Sequence, residues 1–349
     1  GKLARATENT IGMHFASAQS SALVKGAHFG PTERGFCEPR GMRAHRVRVL
    51  LSRARAGTRA HATVAGSFEP PRATIEVPRR VDPTSLSQLL ESGAFGAAVT
   101  VDLPDPARFV APPSTGALPV VSTTAACRWN APTGSLRKRL RECLKAGDKA
   151  WLLVGGDKES WRNPSPGHPD VFRLLEVARE LREGRENPPG LWCVANPLLK
   201  DTAHEAARLA AKVSAGAEVV VTQPAGLLPG RAERFWADME REGLGSVPKM
   251  VGIAVPSMTS LERWIRICGI REQDEEGQAL VRRWRSEQEK GEQSFARFRQ
   301  AELAESLRFA RSLSGVVGVH LLPIETGGVA DLLTFMSRRR IEHPDEPLI

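Results

Sequence analysis

The chain has 349 residues, 41% of them apolar and 26% charged, a globular composition with length enough for one large α/β domain or two ordinary ones. No run of eighteen apolar residues occurs, which excludes a membrane-spanning helix, and the five cysteines form no CxxC pair, which argues against a disulfide framework or a zinc ribbon. The net charge of +9 is unevenly placed: residues 1–60 hold eleven Lys and Arg against three acids, a surplus of +8, and the remainder carries +1. Nucleic-acid binding over a whole basic face is therefore not expected of the body, and phosphate contacts are open only to the arm.

Residues 1–60 are rich in Arg, Ala and Ser, poor in acids and without sustained periodicity, the composition of an organelle transit region. The chain starts at Gly1, which a cut precursor or a partly known sequence would explain. The expected address is the mitochondrion, with the plastid second, and such an arm is also suited to lying along a protein partner.

From residue 61 short β-branched runs alternate with amphipathic stretches, the pattern of parallel strands joined by helices. Strands are expected at 61–69, 96–102, 118–124, 149–155, 190–195, 218–223, 248–255 and 315–322. Helical spacing lies between them, as in Leu86, Leu89 and Leu90, or Leu136, Leu140 and Leu144. Gly93, Gly147, Gly184, Gly216 and Gly243 stand where helices should stop. Eight such units over 61–340, followed by a short tail at 341–349, point to a (β/α)₈ TIM barrel. The longest connection, 271–313, holds two charged helices expected to add cover between strands seven and eight.

Barrel enzymes carry their chemistry at the C-terminal ends of strands, so the expected strand ends nominate residues without any motif. Glu69 and Asp157 would converge on one mouth with the amide of Gln223 between them. Phe68, Pro70 and Pro71 would give Glu69 an apolar setting that raises its pKa toward neutrality. Gly155 and Gly156 would let backbone N–H groups approach a phosphate or a flat heteroaromatic ring. Each has a plainer reading: Glu69 and Asp157 as helix caps, Gln223 as a surface amide, His320 as a satisfied core histidine, the cysteines as small buried hydrophobes. HExxH, GxSxG and Walker motifs are absent, so metalloprotease, serine-hydrolase and P-loop chemistry have no support, and no metal site is expected.

The order of motifs resembles the methylenetetrahydrofolate reductases. Ser67-Phe68-Glu69-Pro70-Pro71 is similar to that family's opening element, and Lys212 to Gln223 (KVSAGAEVVVTQ) to its most specific signature. Leu152 to Asp157, Gly252 to Gly269 and Gly315 to Leu322 resemble its fourth, seventh and eighth strands. The resemblance implies an FAD-binding barrel that passes a hydride from NAD(P)H to 5,10-methylenetetrahydrofolate. It implies Glu69 as general acid, Asp157 beside flavin and pterin, and Gln223 on the folate. It further implies Thr100, Gly156, Asp157, Glu205 and Lys212 as FAD contacts, and a match for His320 on the eighth strand. Several family positions differ: Thr124 to Cys127 replaces a histidine element, Gly155 an arginine, Asn196 to Leu199 a longer aromatic and histidine run, and Glu325 an asparagine. These departures fall mainly on the FAD site. Two functions are therefore expected, a flavin-dependent reductase of one-carbon metabolism or a non-catalytic, reductase-like subunit of a mitochondrial assembly such as a respiratory complex or ribosome. A proline-dehydrogenase-like flavin barrel is a third, less favoured reading.

Overall fold

The computed structural model describes residues 68–78, 82–101, 118–126, 133–155, 170–257, 260–270, 274–324 and 326–342. They belong to the larger of two units into which the chain divides, His45–Ile349. The expected arm at 1–60 lies outside the described residues.

Eight parallel strands close on themselves in sequential order, as the alternating pattern predicts. They are β1 (Ala73–Val77), β2 (Ala97–Thr100), β3 (Val120–Ala125), β4 (Ala150–Val154), β5 (Gly190–Ala195), β6 (Val219–Pro224), β7 (Lys249–Ala254) and β8 (Val316–Leu322). Among the described residues the helices are α1 (Pro83–Glu91), α2 (Thr133–Lys145), α3 (Val171–Arg182), α4 (Thr202–Ser214), α5 (Pro229–Arg241), α6 (Leu261–Cys268), α7 (Glu275–Glu289), α8 (Glu292–Ser312) and α9 (Thr326–Glu342). Asp82, Asp170, Asp201 and Asp274 start α1, α3, α4 and α7 by accepting a backbone N–H three residues on. All five glycines expected at helix ends have positive φ.

Seven of the eight strands fall where the pattern put them, and the first does not. It runs over Ala73–Val77, beyond the proline pair, while Phe68 to Pro71 is an irregular lead-in. The reason lies in loop length. A strand ending at Val77 reaches the Asp82 cap of α1 in a short βα loop, whereas one ending at Glu69 would need more than ten residues.

Strand pairing fixes which side chains face inward. Thr74 pairs with His320 and Ala97, Glu76 with Val99, Val99 with Val121, and Leu152 with Thr123 and Trp192. The intervening residues, among them Ile75, Leu153, Cys193 and Leu321, pack outward against the helices in the main core. The inner cluster is built from Ala97, Val121, Ala150, Trp192, Val219 and Met250, near the N-terminal ends of their strands. Phe68 enters this cluster from below and stacks on Trp192, ring centroids 6.1 Å apart. The same lead-in is tied to β8, where Val319 N–H donates to Arg72 O at 2.9 Å. The N-terminal end of the barrel is thus plugged by aromatic rings.

A second cluster joins α6, α7 and α8 to the C-terminal ends of β7 and β8 through Leu261, Trp264, Trp284, Phe295, Ala254 and Leu322. Helix α8 packs on β7 and β8 as a barrel helix does, so the added cover consists of α6 and α7. No helix among the described residues is long and apolar enough to cross a membrane.

Close approach of β6 and β7 depends on glycine at 252, where a Cβ would lie 2.1 Å from the carbonyl oxygen of Thr222. The Gly252→Ala substitution is expected to lower the unfolding free energy by about 3 kcal/mol, measured by denaturant titration.

Candidate functional site

Inward-facing residues near the N-terminal ends of the strands are buried, but Glu76, Thr123, Val154, Val194 and Gln223 keep part of their surface open. Among the described residues these part-exposed groups line the mouth at the C-terminal end of the barrel, where barrel sites form. Its titratable floor is Glu76, which stands two residues beyond Thr74 on the inner face of β1. Enclosure by protein pushes its carboxyl up to about 7, and the charge of Arg263 on α6 pulls the other way. Below it, His320 Nδ1 and Thr74 Oγ1 form a buried hydrogen bond of 2.9 Å. Burial takes the His320 imidazole down to about 3, so it is neutral near pH 7 and acts as a polar brace rather than a titrating base. The Thr123 hydroxyl on β3 is buried without a hydrogen-bond partner. Gln223 has Cys268 Sγ near its Oε1 at 3.9 Å.

The rim is held by a chain of contacts from α4 to β5 to α6. Lys212 Nζ donates to Val194 O at 2.6 Å, and Glu205 Oε1 accepts from Asn196 N–H at 3.1 Å. Glu205 and Lys212, both buried, lie 3.9 Å apart as an ion pair. Asn196 in turn donates from Nδ2 to Cys268 O at 2.8 Å, anchoring the C-terminal end of α6.

This geometry re-sorts the residues nominated from sequence. Gln223 is half-buried at the C-terminal end of β6, where the pairing with β7 shifts register between Val221 and Pro224, and its amide oxygen approaches Cys268 Sγ. Glu69 is not at the mouth: it is exposed and precedes β1, at the opposite end of the barrel, because the strand begins only after the prolines. Thr100 is buried at the end of β2 but lies opposite the outward-facing Val77, away from the mouth. Glu205 and Lys212 lie between α4 and β5 and hold one another and the strand end. Gly156 and Asp157 lie outside the described residues. Glu76 is the residue the sequence reading missed. Its signal was a lone acid at an inward position of a five-residue apolar strand, legible only once the strand was placed at 73–77. Cys143, Cys193 and Cys268 are buried free thiols, as expected of small hydrophobes. A shallow groove between the start of α5 and α7, lined by Leu228, Gly230, Leu280 and Arg283, includes none of the barrel's inner residues.

No protein-family model matches the chain, and no curated protein matches it. Among solved structures it is similar to an uncharacterized protein from Clostridium thermocellum that binds two copies of 5-methyl-5,6,7,8-tetrahydrofolic acid, at 13% identity and TM-score 0.51, over 76% of this chain and 94% of that one. Looser overlaps are with 2,3-dimethylmalate lyase, a PEP mutase/isocitrate lyase superfamily member, at 13% identity and TM-score 0.43, over 87% and 89% of the two chains. Another is phosphoenolpyruvate phosphomutase from Streptomyces platensis subsp. rosaceus, at 12% identity and TM-score 0.41, over 86% and 88%. At 13% identity the Clostridium thermocellum likeness bears on the barrel architecture and on no activity.

Assignment to the methylenetetrahydrofolate reductases is therefore corrected. None of these structures is such a reductase: they are a protein that binds 5-methyl-5,6,7,8-tetrahydrofolic acid, a 2,3-dimethylmalate lyase and a phosphoenolpyruvate phosphomutase. Phe68 to Pro71, from the opening element of the resemblance, precedes β1, so Glu69 stands at the wrong end of the barrel to supply the acid. The flavoprotein reductase activity falls with that assignment, and the accessory-subunit alternative has no support in these likenesses.

The Glu76 carboxyl should titrate near pH 7 by side-chain ¹³C NMR, and Arg263→Gln should move the midpoint upward by removing the cation that favours the ionised form. Because the folded pKa lies above the ordinary 4.5, the folded state holds the extra proton between these values and stability falls as pH rises through them. The Glu76→Gln variant is expected to be up to about 3 kcal/mol more stable than the parent at about pH 8, with little difference at about pH 4, by denaturant titration.

Proposed function

We propose that the chain binds a flat, folate-like heterocycle at the C-terminal mouth of the barrel and that Glu76 transfers a proton to it. One observation carries the reading: a carboxyl at the open, inner end of the barrel whose pKa is pushed up to about 7, so that protonated and ionised forms are both populated near neutrality. The half-buried Gln223 offers an amide suited to the donor and acceptor edge of a pterin, with the part-exposed Val154 and Val194 as apolar wall. Proton transfer from Glu76 to a ring nitrogen leaves a carboxylate and a cationic heterocycle; the nearby charge of Arg263 favours the carboxylate so formed. Neutral His320, held by Thr74, keeps the floor beneath Glu76 polar without competing for the proton. The choice of ligand class comes from the Clostridium thermocellum barrel.

Titration calorimetry with 5-methyltetrahydrofolate in buffers of different ionisation enthalpy tests this. Saturable binding with proton exchange is expected for the parent chain, and binding without proton exchange for Glu76→Gln. Absence of binding up to about 1 mM ligand, weaker than about −4 kcal/mol, would overturn the reading.

A further inference from the structure

Thr74 and His320 are register partners on β1 and β8, and their side chains meet inside the barrel in the 2.9 Å contact between Oγ1 and Nδ1. Thr74 has no exposed surface and His320 only 2%. The pair has two hydrogens to place, that of the hydroxyl and the single ring hydrogen of a neutral imidazole, and one hydrogen bond between them. Which group donates decides what the ring offers to the rest of the barrel.

If Nδ1–H donates to Oγ1, the hydroxyl hydrogen needs a second acceptor, and Thr74 Oγ1 has none among the described residues. Water is no substitute at a residue without exposed surface, and a buried donor left so costs about 1–3 kcal/mol. If instead the hydroxyl donates to Nδ1, that cost disappears and the ring hydrogen sits on Nε2. Nε2 is at the end of the side chain farthest from the backbone, so on an inward residue it is directed into the barrel interior. It has no hydrogen-bond partner among the described residues, yet it is not one of the fully enclosed unpartnered atoms, as Trp192 Nε1 and Thr123 Oγ1 are. The tip of His320 therefore touches open space, and Glu76 is the next inward residue of β1 above its partner Thr74.

We infer that His320 is a hydrogen-bond donor of the mouth: the Thr74 hydroxyl holds it as the Nε2–H tautomer, and Nε2–H donates to a carbonyl oxygen or an unprotonated ring nitrogen of the ligand. Thr74 is thereby a positioning residue and His320 a specificity-determining one, retaining rings with an acceptor directed down the barrel. The inference rests on the mouth being the ligand site, as proposed above, and does not require the ring to be a folate. Its donor is constant near neutral pH, since burial keeps the imidazole uncharged, whereas Glu76 titrates there.

Long-range ¹H–¹⁵N NMR of the imidazole reads the tautomer without any ligand. A bare Nδ1 and a proton-bearing Nε2 are expected, unchanged between about pH 6 and pH 8. The Thr74→Val variant is expected to lose this signature to a mixture of tautomers and Thr74→Ser to keep it, a contrast that a packing role alone would not produce. Isocytosine, an aminopyrimidine with a carbonyl oxygen, and 2-aminopyrimidine, which lacks it, serve as probes of the donor. A saturable shift of the Nε2–H signal is expected with isocytosine, and binding about fivefold weaker with 2-aminopyrimidine. A hydrogen on Nδ1 in the parent chain overturns the inference, as do equal affinities for the two probes. So does an Nε2–H signal that moves neither with isocytosine up to about 50 mM nor with 5-methyltetrahydrofolate up to about 1 mM. If 5-methyltetrahydrofolate binds by calorimetry and leaves Nε2–H unmoved, the inference fails and the folate reading stands. If isocytosine moves the signal and 5-methyltetrahydrofolate does not bind, the folate reading fails and the inference stands.

Discussion

A closed parallel sheet has one interior, and every second side chain of eight strands must share it. How that volume is filled decides where this protein can do chemistry. At the N-terminal end Trp192, Met250 and Phe68 fill it with large apolar groups, with Phe68 donated by the chain segment that precedes the first strand. At the C-terminal end the described inward positions are Glu76, Thr123, Val154 and Val194, which keep part of their surface open. The aromatic plug and the open mouth are two consequences of the same alternation.

The polar groups near that mouth divide into those that are satisfied and those that are not. His320 and Thr74 satisfy each other, as do Glu205, Lys212 and the end of β5. A buried pair of this kind contributes little net stability, since desolvation offsets attraction, but it defines position: it holds Val194 and, through Asn196, the end of α6. Among the described residues the Thr123 hydroxyl has no hydrogen-bond partner, and Glu76 is enclosed at a cost that shows in its raised pKa.

Particular residues show how far the sequence was readable. The β6 run, Glu218 to Gln223, announced a strand, and β6 runs over Val219–Pro224. Lys212 and Glu205 were also singled out, but as cofactor contacts; nothing in a linear pattern tells a helix residue that reaches a ligand from one that reaches its own strand's carbonyl. Glu69 and Glu76 show the sharper difficulty. Both are acids in short β-branched surroundings next to prolines, and a shift of one candidate strand exchanges the end of the barrel to which each belongs.

Periodicity, turn residues and run length are local properties, and they were enough to determine eight strand-helix units, the glycine stops, the buried cysteines and the extra helices before β8. Closure, register and the order of the ends are properties of the whole sheet. Only the tertiary structure decided that β1 begins after Pro71, that Phe68 plugs the lower end, and that Glu76 is the acid at the open one. The physical reason is that a side chain's face and depth in a barrel are set by hydrogen-bonded neighbours hundreds of residues away, as with Thr74 and His320, and no window of sequence contains both partners.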